Sequence, residues 1–314
     1  GQADPMPVQP ILRLGTRPSP LAMAQAHEAR ARLCAAHGWD ESAVELIPVV
    51  ASGDKVQDRP LAEIGGKALW TRELDQWLVE ERIDAAVHSM KDVETIRPDV
   101  IAIAAILPRA DKADRLLGAA SIAEIPAGAR VGTSAPRRAA QLLHMRPDVT
   151  VVGIRGNVAT RMAKLKAGEA DATFLAAAGL DRLGEDDVGV RLDPQVWLPA
   201  PAQAAIGIEC RRGDARTGEL LAGIDHAESH AEIAAERRLL EGLGGSCSSP
   251  IAALSRISAG RIELKAAIFS PDGTVRIADA AEFEVGDGQA PLELARTLLN
   301  NAPPEVAEHF GEAT

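Results

Sequence analysis

The sequence predicts an α/β protein whose sheets carry helices on both faces, with a small α+β domain of antiparallel strands at the C-terminal end. Three observations predict it. Short apolar runs alternate with amphipathic stretches from residue 11 onward, the strand-to-helix turns carry arginines, and after residue 213 the style changes to strands joined by tight turns.

Each element has its own signal. Residues 11–14 (ILRL) form a strand-like run, Gly15 to Pro18 turn the chain, and Ser19-Pro20 supplies an N-cap and first-turn proline for a helix ending near Gly38. Trp70, Leu74, Trp77 and Leu78 recur at helical spacing and mark one face of a second helix. A strand around Ile83 to Val87 leads into HSMKD at 88–92. Arg130 to Gly132 reads as a strand entering a helix from Ala135, and Val149 to Ile154 as a strand entering a helix that bears Val158, Met162 and Leu165. The run WLPAPAQAAIGIECRRG (197–213) reads as a crossing between domains followed by a buried strand. Beyond it come a helix over 227–241, a glycine-rich loop, strands near 251–258, 261–269 and 274–285, and a last helix near 291–300. Asp272-Gly273 is the turn signal between the last two strands.

Composition narrows the class. A chain of 314 residues with 46% hydrophobic and 25% charged side chains has room for two or three compact domains. No apolar run reaches the roughly 18 residues of a membrane span, and the first ten residues lack a secretion pattern, so a cytoplasmic protein is expected. A net charge of −11 argues against a general binder of nucleic acid or acidic membranes, and any anion site must be local. Cys34, Cys210 and Cys247 are far apart in sequence and match neither a disulfide framework nor the close pairing of a zinc site, and with three of them at least one is a free thiol.

Arginines concentrate at predicted strand ends: Arg17, then Arg137-Arg138, then Arg155-Gly156 with Arg161 one turn on. Ligands of open α/β sheets sit outside the carboxyl ends of strands, where helix N-termini also present free N–H groups. A lone arginine there is most simply a solvated charge. Three in similar turns, with donors from Thr133, Ser134 and Asn157, describe an anion cradle suited to carboxylates. Lys91-Asp92 sets a cation beside a carboxylate that could hold or deprotonate a cationic intermediate, although such neighbours are commonly surface charges. Cys247 lies in LGGSCSSP (243–250), and two readings stay open for it, a reactive thiol or a small buried side chain; burial suits Cys34 and Cys210 better. His226 and His230 stand four apart without further ligands at metal spacing, so no metal is expected. Gly65-Gly66-Lys67 lacks the upstream glycine of a phosphate loop, and Ala68 replaces its hydroxyl residue.

Taken together, LGTRPSPLAMAQA (14–26), GGKALWTREL (65–74), AVHSMKDV (86–93), VGTSAPRR (131–138), IRGNVATRMAKL (154–165), LAAAGLDRLG (175–184) and GIECR (207–211) resemble the porphobilinogen deaminase family in the family's own order. The resemblance spans nearly the entire chain and is loosest in the third domain. It implies two periplasmic-binding-protein-like domains around a central cleft, 1–107 with 200–222 and 108–199, and a third domain, 223–314, that carries the cofactor. That cofactor is a dipyrromethane held by a thioether to Cys247. The implied enzyme is a transferase of tetrapyrrole and haem biosynthesis. It adds four porphobilinogens head to tail onto this primer with loss of ammonia, and water then releases hydroxymethylbilane.

By matching position, the resemblance makes Asp92 the catalytic carboxylate. It assigns Lys91, Asp92, Thr133, Ser134, Arg137 and Arg138 to the cofactor, and Arg17, Ser19, Lys67, Arg155, Gly156, Asn157, Arg161 and Arg182 to the incoming or growing chain. It implies a monomer with no nucleic-acid or membrane partner. Departures are Ala135-Pro136 for a serine and leucine, Glu63 for a frequent lysine, Ala202-Gln203-Ala204 for Gly-Gln-Gly, and Ser246 and Ser248 beside the cysteine. Rival readings are a two-lobed carboxylate-binding protein without catalysis and a thiol hydrolase using Cys247, because architecture alone does not fix function.

Overall fold

The computed structural model describes residues 9–50, 68–245 and 249–311; Glu63, Lys67, Ser246, Cys247 and Ser248 lie outside the described residues. The main elements follow in chain order. The first group is β1 (Leu12–Thr16), α1 (Pro20–His37), β2 (Val44–Pro48), α2 (Ala68–Val79), β3 (Ala85–Ser89) and β4 (Ile101–Ile106). Next come β5 (Asp114–Leu117), β6 (Arg130–Gly132), α3 (Pro136–Met145), β7 (Thr150–Val152), α4 (Val158–Lys166), β8 (Ala172–Ala176), α5 (Ala177–Arg182) and β9 (Val190–Arg191). Then follow β10 (Ile206–Arg211), α6 (Ala215–Ala222), α7 (Ala227–Leu243), β11 (Ile251–Ser258), β12 (Arg261–Phe269), β13 (Arg276–Glu284), α8 (Gln289–Asn301) and α9 (Pro304–Ala307). They form two compact units, Gly1–Pro108 with Ile206–Ala227 and Arg109–Ala205 with Glu228–Thr314.

The first unit is a five-stranded sheet in the order β2-β1-β3-β10-β4. Strands β1, β2 and β3 are parallel, whereas β10 arrives from the 197–205 crossing and runs antiparallel to both β3 and β4. Alternation sorts the side chains between faces. Leu12, Leu14, Ala85, Val87 and Ile208 pack with Ala29 and Leu33 of α1, whereas Ala86 joins Leu74 and Leu78 of α2. Leu74 and Leu78, with the partly buried Trp77, lie on the face expected for α2, and the Trp70 side chain lies outside the described residues.

The second unit repeats the plan. Its sheet runs β7-β6-β8-β5-β9, and β5 is the antiparallel strand in the fourth place. Leu116, Val131, Phe174 and Trp197 fill one face, and Leu117, Val158, Leu175 and Leu180 the other. The same unit contains the antiparallel sheet β11-β12-β13. One face of this sheet packs on Leu239 of α7 and Leu298 of α8, and Ala252, Leu254, Ala267 and Phe269 on the other meet Ala140 of α3 and Leu198. The segment expected as a third domain therefore buries apolar surface against the second sheet's own helix. The Asp272-Gly273 turn docks there too, with the Gly273 carbonyl 2.8 Å from His144 Nδ1.

A buried ion cluster ties α7 to this sheet. Arg109, 3% exposed, reaches Glu232 at 3.1 Å and Glu236 at 2.6 Å, and its Nε donates to the Gln203 carbonyl at 2.9 Å. Glu236 also accepts from Ser255 Oγ and from the Ala202 N–H at 2.7 Å. Burial alone would raise the Glu236 carboxyl, but Arg109 and these donors hold it below the ordinary range. The grip falls on a strained backbone: Ala202 and Ala204 have φ of 63° and 69°, the left-handed region that favours glycine. The departure from Gly-Gln-Gly thus lies where a side chain costs most.

Arg109→Ala strands a buried carboxylate and is expected to cost about 3–5 kcal/mol of stability, read by equilibrium denaturation. Ala204→Gly relieves the left-handed strain and is expected to stabilise by about 0.5–1 kcal/mol in the same assay.

Candidate active site

The parallel strands bring the expected site residues to the carboxyl edge of each sheet. In the first unit β1 and β3 are parallel neighbours, with Leu14 opposite Ala85, so the turns after Thr16 and Ser89 emerge side by side. Thr16 Oγ1 donates to the Arg17 carbonyl at 3.0 Å, and Ser19 caps α1 by accepting from Ala22 N at 3.3 Å. Gln25 of α1 donates to Ser89 Oγ at 2.9 Å, which ties the helix to the root of the turn Met90–Asp92. On that turn Lys91 is exposed and Asp92 half-buried, and Arg17 across the edge is half-buried as well.

In the second unit β6, with β7 and β8 on either side of it and parallel to it, aims three turns the same way. Thr133 is buried and accepts from the Ala135 N–H at 3.1 Å; Ser134 Oγ donates to the Ile154 carbonyl at 2.9 Å and joins two of the turns. Asn157 caps α4, its Oδ1 accepting from Thr160 N at 2.8 Å. Gly156 has φ of 122°, and a Cβ there would stand 2.7 Å from Thr160 Cγ2, so the Arg155–Asn157 turn admits no side chain at its middle. Arg155 and Arg161 are half-buried beside it, and Arg182 ends α5, the helix that leaves β8 directly. Ser19, Thr133, Ser134 and Asn157 thus spend hydrogen bonds on shaping the turns.

Arg137 and Arg138 occupy the first turn of α3 and are 7% and 6% exposed, far from the solvated charges that arginine usually presents. Their partner is Asp114, the first residue of β5. Because β5 runs antiparallel to β8, Asp114 lies opposite Ala176, level with the carboxyl edge. Arg137 Nη1 stands 2.7 Å and Arg138 Nη2 2.8 Å from its carboxylate. Trp197 Nε1 donates to it at 2.8 Å and Gln203 Nε2 at 2.9 Å. Burial pushes the Asp114 carboxyl up, but the two guanidiniums outweigh it and hold the group well below the usual range. Burial and the neighbouring Arg138 lower Arg137, which Asp114 offsets only in part. Two cations on one carboxylate leave a surplus positive charge inside the protein. Moreover, Arg137 Nε is buried without a hydrogen-bond partner among the described residues.

The sequence reading missed Asp114, Trp197 and Gln203. Their only signal was indirect: two adjacent arginines on a helix that must pack on a sheet require a buried anion, and nothing in DKADRLL (111–117) distinguishes Asp114 from Asp111.

Comparison with known proteins gives the same family at both ends of the chain. Residues 12–219 match the family model described as porphobilinogen deaminase, dipyromethane cofactor binding domain, and residues 230–301 match porphobilinogen deaminase, C-terminal domain. A porphobilinogen deaminase of Sphingopyxis alaskensis is 55% identical over 305 residues, covering 95% of this chain and 96% of the relative. One from Paracoccus denitrificans is 48% identical over 305 residues, covering 96% and 97%. Among solved structures, the periplasmic sulfonate-binding protein SsuA of Methylobacillus flagellatus aligns at 14% identity and a TM-score of 0.38, over 72% of this chain and 66% of that one. With both family models matched and nearly all of the chain aligned to these relatives, the protein belongs to the porphobilinogen deaminase family.

Proposed function

We propose that this protein is a hydroxymethylbilane synthase. It condenses four porphobilinogens head to tail on a covalent dipyrromethane primer, releasing one ammonia at each addition, and then frees the linear tetrapyrrole by hydrolysis. The match of the cofactor-binding family domain to residues 12–219 carries this reading. It displaces the alternative of a carboxylate-binding protein without catalysis. The family's thioether attachment falls at Cys247 in this chain, and we propose that the enzyme works as a cytoplasmic monomer. Among the described residues no helix is long and apolar enough to cross a membrane.

The residues present fit an acidic cofactor. Each pyrrole ring carries an acetate and a propionate, and the α3 turn holds a surplus buried cation with an unsatisfied donor on Arg137. A carboxylate brought to that donor would balance the charge through a charge-assisted hydrogen bond. We assign Thr133, Ser134, Arg137, Arg138 and Lys91 to the acid groups of the cofactor. When bound, the dipyrromethane supplies a tethered pyrrole with a nucleophilic free carbon.

Arg17, Ser19, Lys67, Arg155, Gly156, Asn157, Arg161 and Arg182 are assigned to the carboxylates of the substrate and growing chain. Their place at helix starts and carboxyl edges of strands adds backbone N–H groups to the guanidiniums.

Asp92 is assigned the chemistry. Porphobilinogen's aminomethyl group is an ammonium at neutral pH, so departing ammonia leaves an electron-poor methylene-pyrrole cation. A carboxylate beside the pyrrole N–H stabilises that charge as it develops, and it can accept the proton displaced when the new carbon–carbon bond forms.

The intact mass of the purified protein should exceed the mass calculated from sequence by one dipyrromethane, and Cys247→Ser should abolish the excess. A native mass equal to the calculated one would remove the covalent primer from the scheme. Asp92→Asn is expected to keep the cofactor mass and lower turnover by about 10²-fold or more, measured as porphobilinogen consumption. Turnover near the native rate would take the catalytic role away from Asp92.

A further inference from the structure

Beneath the Met90–Asp92 turn lies a second buried ion cluster that the chemistry above does not use. Glu209, on β10, is 0% exposed and faces the His88 imidazole and the Arg97 guanidinium. His88 Nε2 stands 3.0 Å from its Oε1, while Arg97 donates to both oxygens, Nε at 2.9 Å and Nη2 at 2.8 Å. Arg97 Nη2 also reaches Asp75 of α2 at 2.5 Å. Burial pushes both acids up, but Glu209, approached by His88 and by two nitrogens of Arg97, is held down at about 2, whereas Asp75, which takes one contact from Arg97, stays raised.

The placement of His88 and Arg97 matters. His88 is the next-to-last residue of β3 and Arg97 closes the loop that follows the turn, so the segment from 88 to 97 carries Lys91 and Asp92 between them. One carboxylate therefore stands against both ends of the segment, through two hydrogen bonds from Arg97 and a 3.0 Å approach to His88 Nε2. A third anchor lies between: Met90 is 1% exposed and packs on the backbone of β10 at Gly207, where a Cβ would stand 2.1 Å from Met90 Sδ.

We infer that Glu209 is a positioning residue for Asp92, which it holds at the strand edge by fixing both ends of the loop that carries it. The inference rests on the role proposed for Asp92. Glu209 touches no reacting atom in this reading and acts through the loop alone.

The test is a double-mutant cycle of Glu209→Gln with Asp92→Glu, which keeps the acid on a longer arm. The holoenzyme is assayed with porphobilinogen, and rates are counted per cofactor-loaded molecule by mass. Glu209→Gln alone is expected to lower kcat about tenfold or more while KM moves less than about twofold, since small misplacement of a reacting group is costly. In the Asp92→Glu background the same change should have little further effect. Arg97→Lys, which keeps the charge but loses the fork, should repeat the pattern if Glu209→Gln folds poorly.

Asp84→Asn serves as the structural control. It breaks the Arg13–Asp84 pair, 3.1 Å apart at the opposite edge of the same sheet, and should lower the melting temperature without changing turnover per loaded molecule. Unchanged kcat per loaded molecule in Glu209→Gln and Arg97→Lys, or effects that simply multiply in the double variants, would overturn the inference. Native-like turnover of Asp92→Asn would instead remove the Asp92 assignment, so the two failures are told apart.

Discussion

The structure depends on a fully buried carboxylate seated on the antiparallel strand of each α/β sheet. Asp114 on β5 and Glu209 on β10 occupy the fourth strand of their sheets, and both are 0% exposed. An isolated carboxylate there would be expelled or protonated, because burial strongly disfavours its charged form. Each is kept ionised by its basic neighbours, Asp114 by Arg137 and Arg138 and Glu209 by Arg97 and His88, which lie at or just beyond the ends of the neighbouring parallel strands. The same attraction that stabilises the acid fixes where those segments run. In the first unit this serves the Lys91–Asp92 loop, and in the second it holds the first turn of α3.

The strand order explains why the acids sit where they do. A parallel strand delivers its last residue to the ligand edge, and an antiparallel strand delivers its first. Asp114 begins β5 and so lies level with the turns after β6 and β8, whereas Glu209 lies three residues into β10 and meets its cations deeper, below the turn. This difference in depth separates their roles. The Asp114 cluster keeps a surplus positive charge and an Arg137 donor unsatisfied among the described residues near the edge. The Glu209 cluster adds Asp75, so that Arg97 is shared between two acids inside.

Cohesion within the second unit follows the same rule. Arg109, Glu232 and Glu236 bind α7 to the crossing that contains Gln203, and Gln203 belongs at once to the Asp114 cluster. The crossing is thus held from both sides, and this sustains the left-handed backbone at Ala202 and Ala204 despite their side chains.

By itself the sequence determined the alternation of strands and helices, the turns at Ser19, Thr133 and Asn157, the inward face of α2, the antiparallel C-terminal hairpins and, through its ordered motifs, the family. These are local properties, set by side-chain periodicity, capping and turn chemistry within a few residues. It did not reveal β2, β4, β5, β8 or β9, whose short runs are apolar or mixed without a period of their own, nor that Arg137 and Arg138 would be buried. Only the tertiary structure decided which acids those arginines and Arg97 would meet, since Asp114 and Glu209 reach them through strand pairing between segments far apart in the chain. Long-range pairing leaves no mark on the residues beside either partner, and so it becomes visible only when the sheets are assembled.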